Sequence, residues 1–281
     1  MTISAKIVAD SINHKGIRLT TLLLHYPRYI LPELNTHRMF SRNSASSRAV
    51  PAERVFKSIL KDPLYPHHGK NCAGMQAKEL LDEEDALAVD QIIDEARFAA
   101  VGFARKLHAL GLHKQSLNRI VEPFAHISTL VSATEWNNFF ALRLHEDAQP
   151  EIQALAKSIK TAMDASEPVF KEDNEWHLPF ISGVEEELTL KEKLMLSVAK
   201  CATISYARAE QEITLQKAAE IFERLTKSTP IHASPFEHQA KPIADSNEAS
   251  HLCLEDNELW CGNFRGWMQY RHSLPNNYLK Y

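Results

Sequence analysis

Apolar and polar positions divide this chain into short strand-like runs near its start and long helical patterns afterwards. Residues 4–12, Ser-Ala-Lys-Ile-Val-Ala-Asp-Ser-Ile, and 18–26, Arg-Leu-Thr-Thr-Leu-Leu-Leu-His-Tyr, read as two strands around a turn at His14-Lys15-Gly16. Beyond Pro51 a short helical run covers Glu53 to Leu60, and a Pro/His/Gly loop covers Asp62 to Gly74. From Glu84 to Leu112 apolar residues recur at helical spacing, with Gly111 as the stop. Further helices are predicted over Ser128 to His145, Pro150 to Met163 and Leu190 to Lys200.

Between Glu167 and Gly183 periodicity is lost, which marks a connection and a candidate internal boundary within one 281-residue domain. Ala202 to Tyr206 reads as a short strand. Thr214 is a credible N-cap for a helix from Leu215 to Lys227. Ser234-Pro235-Phe236-Glu237 has the form of a capping box, 240–262 reads as an acidic loop, and the aromatic, basic tail from Asn263 is expected to dock. Together these predict an α+β fold, a small mostly antiparallel sheet flanked by long helices.

Composition narrows the functional classes. With 44% hydrophobic and 24% charged residues the chain matches an ordinary globular protein, and a formal charge of −4 gives no global field for a nucleic acid polymer. The first residues lack the apolar core of a signal peptide and no long apolar window follows, so a cytoplasmic protein without membrane attachment is expected. Cys72, Cys201, Cys253 and Cys261 form no CxxC pair. His251 with Cys253 and Cys261, or His67-His68 with Cys72, match no known zinc spacing, and no metal is expected.

Chemistry concentrates in Thr36-His37-Arg38-Met39-Phe40-Ser41-Arg42-Asn43-Ser44-Ala45-Ser46-Ser47-Arg48, which follows an apolar run and reads as a polar loop launched from a buried strand. Guanidinium forks, hydroxyls and backbone N–H groups are what an anion needs when it leaves water, so a nucleotide or dinucleotide site is one reading and a solvated loop the other. The spacing His37-Arg38-x-x-Ser41-x-Asn43-x-x-Ser46-x-Arg48 resembles the signature RHRxxSxNxxSxRY of flavin-dependent thymidylate synthases, with Thr36 at the leading Arg and Ala49 at the closing Tyr. Trp136 to Ile152 is similar to that family's NxRxxxNFLxLR…AQxEI. It keeps Asn138 and Arg143 but has Ser132 and Thr134 in place of Asn and Arg. Arg119-Ile120-Val121-Glu122-Pro123 resembles RIVLP. Ala202 to Arg208 and His232 to His238 are similar to ARVSxxR and HxTPFEH, blocks that open the family's chains and close this one, as in a circular permutation. Residues 50–117 and 160–195 are largely outside these blocks.

The resemblance implies FAD, with NADPH and methylenetetrahydrofolate as co-substrates, dUMP as methyl acceptor, and a homotetramer with sites shared between subunits. It assigns Arg143 to the pyrimidine base, where a guanidinium would stabilise charge developing on the ring. Arg48 and Ser46 would hold the nucleotide phosphate with help from Arg119, Ser46 counting with Arg143 as a catalytic candidate, and His37, Arg38, Asn43, Asn138, Ser205, Ser234 and Glu237 would line the flavin. The departures at Thr36, Ser132 and Thr134, and Glu33 where the family has Gln, call for compensation from Arg28, Arg42 or the tail, or for a different reaction. A hydroxymethyl transfer to a pyrimidine nucleotide is one alternative, and a flavin- or nucleotide-binding protein without turnover is another. No cysteine lies in a Pro-Cys-His setting and no G-x-S-x-G elbow surrounds Ser46, so a covalent nucleophile is not indicated.

Overall fold

A computed structural model describes residues 2–206, 212–244, 253–255, 258–275 and 277. The predicted hairpin forms as β1 (Ser4–Asn13) and β2 (Arg18–Pro27), paired antiparallel with an irregularity between Ile7 and Ala9. Gly16, at φ +73, closes its turn in the left-handed region that a side chain disfavours. A single-turn helix α1 (Leu31–Leu34) leads to β3 (Ser41–Ser44) and α2 (Ala52–Lys61). The long helix α3 (Glu83–Ala109) starts where the Asp82 side chain accepts from the Asp85 N–H, and α4 (Lys114–Leu117) follows.

Where a helix from Ser128 to His145 was expected, the chain instead builds β4 (His126–Ala133) and then α5 (Asn137–Arg143). The reason is sheet pairing: β4 bonds β2 along one edge and β3 along the other, and its Ile127 and Val131 are buried on one face and Leu130 on the other, with Ser128, Thr129 and Ser132 between them. Helix α6 (Pro150–Asp164) precedes β5 (Val169–Lys171), which pairs parallel with β1 and completes a sheet of order β3-β4-β2-β1-β5. The expected connection between Glu167 and Gly183 is thus tied to the sheet through β5.

Helix α7 (Leu190–Thr203) opens with a Thr189/Glu192 capping box and absorbs the start of the segment read as a strand. Ile204–Tyr206 is a 3-10 turn rather than a strand, because buried Cys201, Ala202 and Ile204 continue the helical face. Helix α8 (Leu215–Lys227) begins at Thr214, whose side chain accepts from the Lys217 N–H, as expected. The region read as an acidic loop carries β6 (Ala240–Pro242), β7 (Cys253–Glu255) and β8 (Glu258–Cys261), with the intervening acidic residues 245–252 outside the described ones. Strands β9 (Phe264–Arg265) and β10 (Trp267–Gln269) then dock the tail, with β10 paired to β6 and Trp267 wholly buried.

Two faces of the sheet organise everything else. On one, Leu22, Leu24, Tyr26, Ile127 and Val131 pack with α5 and α6 through Phe139, Ile152, Leu155 and Ile159. On the other, Leu130 and Leu23 pack against Cys201 and Ile204 of α7 and its following turn. Side chains alternate along β3, so Arg42, opposite Val131, and Asn43, opposite Leu130, serve different faces.

Candidate functional site

The run expected to be a loop is in part the edge strand β3, and that changes what its residues can reach. Asn43 turns toward α7: its Nδ2 donates to the Cys201 carbonyl at 2.6 Å, while its Oδ1 lies 3.4 Å from Ser205 Oγ and 3.5 Å from Ser234 Oγ. Ser205 also accepts at its carbonyl from the Ser46 N–H at 2.9 Å. Residues some 160 and 190 positions apart in sequence therefore meet at one strand end. They open on a cleft of about 940 Å³ lined by Asn43, Arg48, Ser205, Thr214, Ser234 and residues of α8.

The lining of that cleft is both cationic and apolar. Arg48, Lys217, Arg224 and His232 supply cationic or potentially cationic groups, with Glu212 among them as the acid, while Tyr206, Ile213, Ile221, Leu225 and Pro235 supply apolar wall. Arg48 and Arg224 form no ion pair among the described residues, whereas Lys217 is held by Glu220 at 2.6 Å. Lys217 and Arg224 are missing from the candidates drawn from sequence. Their signal was available: seven positions apart on a helix, they share one face of α8. Arg208, in the ARVSxxR-like block, lies outside the described residues.

The capping box expected at Ser234 is not formed. Ser234 is the first residue of a 3-10 turn, its hydroxyl faces Asn43, and Glu237 is ion-paired with Arg271 instead of reaching back. A one-turn element this short leaves no N3 position from which the carboxylate can return.

Arg143 sits with the other face of the sheet. Its Nε donates to His37 Nε2 at 2.9 Å, its Nη1 to Glu33, and its Nη2 to Thr36 Oγ1 at 3.3 Å. His37 is buried among Phe40 and Phe139, and its pKa is lowered to about 4, first by burial and then by the Arg143 and Arg42 charges. Arg38 and Asn138 are exposed on the neighbouring turn and on α5. Within one chain, then, the residues assigned to a single site fall into two groups divided by the sheet: Asn43, Arg48, Ser205 and Ser234 on one side, His37 and Arg143 on the other.

Ser46 lines a third space, a cavity of about 230 Å³ with Arg28, Ser58, Glu122 and Ser128 around it. Arg119 is exposed and bound to Glu122 at 3.0 Å, which also pairs with Arg28 at 3.1 Å. Within one subunit Ser46 lines this smaller cavity and Arg48 the larger cleft, while the Ser46 N–H still bonds the Ser205 carbonyl.

The expected compensating cations are occupied. Arg42 donates to the carbonyls of Leu34 and His37, Arg28 pairs with Glu122, Arg265 with Glu135 and Arg271 with Glu237. Ser132 and Thr134 are also consumed internally: Ser132 Oγ hydrogen-bonds Thr21 and His238, and Thr134 Oγ1 accepts from the Arg265 N–H. Among the zinc spacings considered in sequence, His68 binds Asp90 and Cys72 donates to the Gln76 carbonyl, while His251 and the Cys253 side chain lie outside the described residues.

Comparison with known proteins bears on this geometry. Residues 17–169, more than half of the chain, match the model of a family described as thymidylate synthase complementing protein. Among solved structures, a UMP/dUMP methylase, PolB from Streptomyces cacaoi bound with 5-Br UMP, is 16% identical, with a TM-score of 0.48 over 58% of this chain and 88% of that one. The same enzyme bound with 5-Br dUMP gives 15% identity and a TM-score of 0.46 over 58% and 90%. No curated protein matches by sequence. No described helix is long and apolar enough to cross a membrane.

Proposed function

Because the chain belongs to the thymidylate synthase complementing protein family, we propose that it is a flavin-dependent thymidylate synthase that methylates dUMP at uracil C5. The observation that carries this reading is the meeting of Asn43 and Arg48 with Ser205 and Ser234 at one cationic cleft. A lone Ser/Arg-rich loop would not recruit two remote segments to the same wall.

The cleft residues fit a flavin nucleotide: the guanidiniums of Arg48 and Arg224 suit a phosphate, the hydroxyls of Ser205 and Ser234 and the Asn43 amide suit a ring edge, and the apolar wall suits its faces. When bound, the flavin supplies the redox chemistry, with NADPH as reductant and methylenetetrahydrofolate as one-carbon donor. The chain's own share is to bind and polarise. Asn43 holds the Ser205 and Ser234 turns in place through the Cys201 carbonyl. Arg143 is kept in position by Glu33, Thr36 and neutral His37, so its guanidinium is preorganised toward charge developing on a base. Arg38, Asn138 and Glu237 are the remaining cofactor-side candidates, and Ser46 and Arg119 the remaining nucleotide-side ones.

The division by the sheet supports sites shared in a homotetramer, where Arg143 of one subunit faces the cleft of another. A second reading rests on Ser132 and Thr134, whose hydroxyls are tied into the interior where the family has Asn and Arg. A chain lacking that pair on the reductant side would transfer a hydroxymethyl group, with water in place of the final hydride. The test is anaerobic incubation with FAD, NADPH, methylenetetrahydrofolate and dUMP, with the nucleotide analysed by mass. An added methyl supports the first reading and an added hydroxymethyl the second. Reducible flavin without any product would leave a binding protein, and no flavin uptake would overturn all three.

A further inference from the structure

Three side chains from separate elements converge beside the smaller cavity, away from the cationic cleft. His25 lies on β2 and His126 opens β4; the register pairs His25 with Ser128 and Pro27 with His126, so the two histidines are diagonal neighbours on one sheet face. Their rings stack at 4.9 Å with 17° between planes. The third side chain, Asp62, follows the last residue of α2, anchored there by its N–H to the Ser58 carbonyl at 3.0 Å.

We propose that His25, Asp62 and His126 hold a divalent transition cation of the zinc class. His25 Nε2 and His126 Nδ1 stand 3.5 and 3.4 Å from the same oxygen, Asp62 Oδ2, and the three ligand atoms lie within 4.8 Å of one another. Charge-assisted N–H···O bonds close to about 2.7–2.9 Å, so these gaps are too wide for good hydrogen bonds. They match the roughly 3.3 Å edge of a tetrahedron whose bonds to zinc are about 2.0–2.1 Å long. The His25 side chain is one-third exposed, so it is the ligand with freedom to adjust.

Outer partners orient two of the ligands. The other nitrogen of His25, Nδ1, faces Ser128 Oγ at 3.3 Å, and the other oxygen of Asp62 accepts from Thr2 Oγ1 at 3.3 Å. Two imidazoles with one carboxylate select zinc, cobalt or nickel over magnesium or calcium, which prefer all-oxygen shells. Three protein ligands leave one coordination position. His25 and His126 both line the cavity of about 230 Å³ together with Arg28 and Ser46, which gives water or a small anion access to it. Such an ion would cross-link the N-terminal hairpin, the end of α2 and the start of β4. The assignment is independent of the proposed methyl transfer.

The experiment is calorimetric titration of the chelator-treated full-length protein with Zn2+, followed by gel filtration, elemental analysis and zinc-edge X-ray absorption. One equivalent bound through nitrogen and oxygen ligands is expected. Asp62→Asn and His25→Gln, both at partly exposed positions, should each weaken it at least 10-fold while leaving the folded far-UV spectrum intact. Absence of stoichiometric binding, sulfur in the coordination shell, or an affinity unchanged in both variants would overturn the site and leave a His–Asp electrostatic cluster only.

Discussion

Arg143 donates its Nε–H to Nε2 of His37 at 2.9 Å, joining α5 to the turn before β3. An imidazole nitrogen can accept from a guanidinium only when the ring is neutral, which agrees with a pKa lowered to about 4. Arg143→Ala should therefore raise the His37 pKa, though not to its ordinary value of about 6.5, since burial is the larger cause. Histidine NMR titration checks it. The same variant should lose base-directed chemistry and keep its flavin; loss of flavin on purification would remove Arg143 from the base side.

Arg48→Ala and Arg224→Ala should each weaken binding of a phosphate-bearing ligand by about 10-fold or more, the size of one charge-assisted contact of about 1.5–3 kcal/mol. Arg119→Ala should change it less, because that guanidinium is exposed and already engaged by Glu122. Calorimetry with dUMP and with FAD, repeated at two salt concentrations, separates the three. An Arg48→Ala protein with unchanged affinity for both would exclude the cleft as the phosphate site.

Asn43→Ala removes the side-chain donor from the Cys201 carbonyl, which keeps the Ile204 N–H, and releases the Ser205 and Ser234 hydroxyls. A cost of about 0.5–1.5 kcal/mol in unfolding free energy follows from losing one buried hydrogen bond while the carbonyl keeps its backbone donor. Urea denaturation of the variant measures it, and flavin affinity should fall in parallel.

Acid should destabilise the fold through two buried histidines. His177 hydrogen-bonds Thr21 and Ser11, His238 hydrogen-bonds Ser132, and burial lowers both pKa values to about 3. The unfolded chain, titrating near 6.5, binds more protons between those values, so stability rises with pH there. The contribution is complete above about pH 6.5 and is lost as pH falls toward about 3. His177→Asn should flatten this slope in urea titrations between pH 7 and 4, and an unchanged slope would contradict the assignment.

Local chemistry made much of this protein legible in its sequence. The hairpin at Gly16, the Thr214 cap, the stop at Gly111 and the α+β class follow from periodicity and from residues whose backbone preferences act over a few positions. The run from His37 to Arg48 was readable as a candidate only through its resemblance to a family signature, since its composition alone suits a solvated loop equally. Tertiary structure decided the rest. Pairing along both edges made Ile127 to Val131 an inner strand, since a short mixed run such as Ile-Ser-Thr-Leu-Val does not distinguish strand from helix by its spacing. Alternation along β3 sent Asn43 to the cationic cleft while Arg42 was spent on carbonyls of the opposite face. Lys217 and Arg224 joined Arg48, and Glu33 claimed Arg143, through contacts between segments that sequence spacing leaves unrelated. A side chain's type is written in the chain; which partner neutralises it is set by the packing of distant elements.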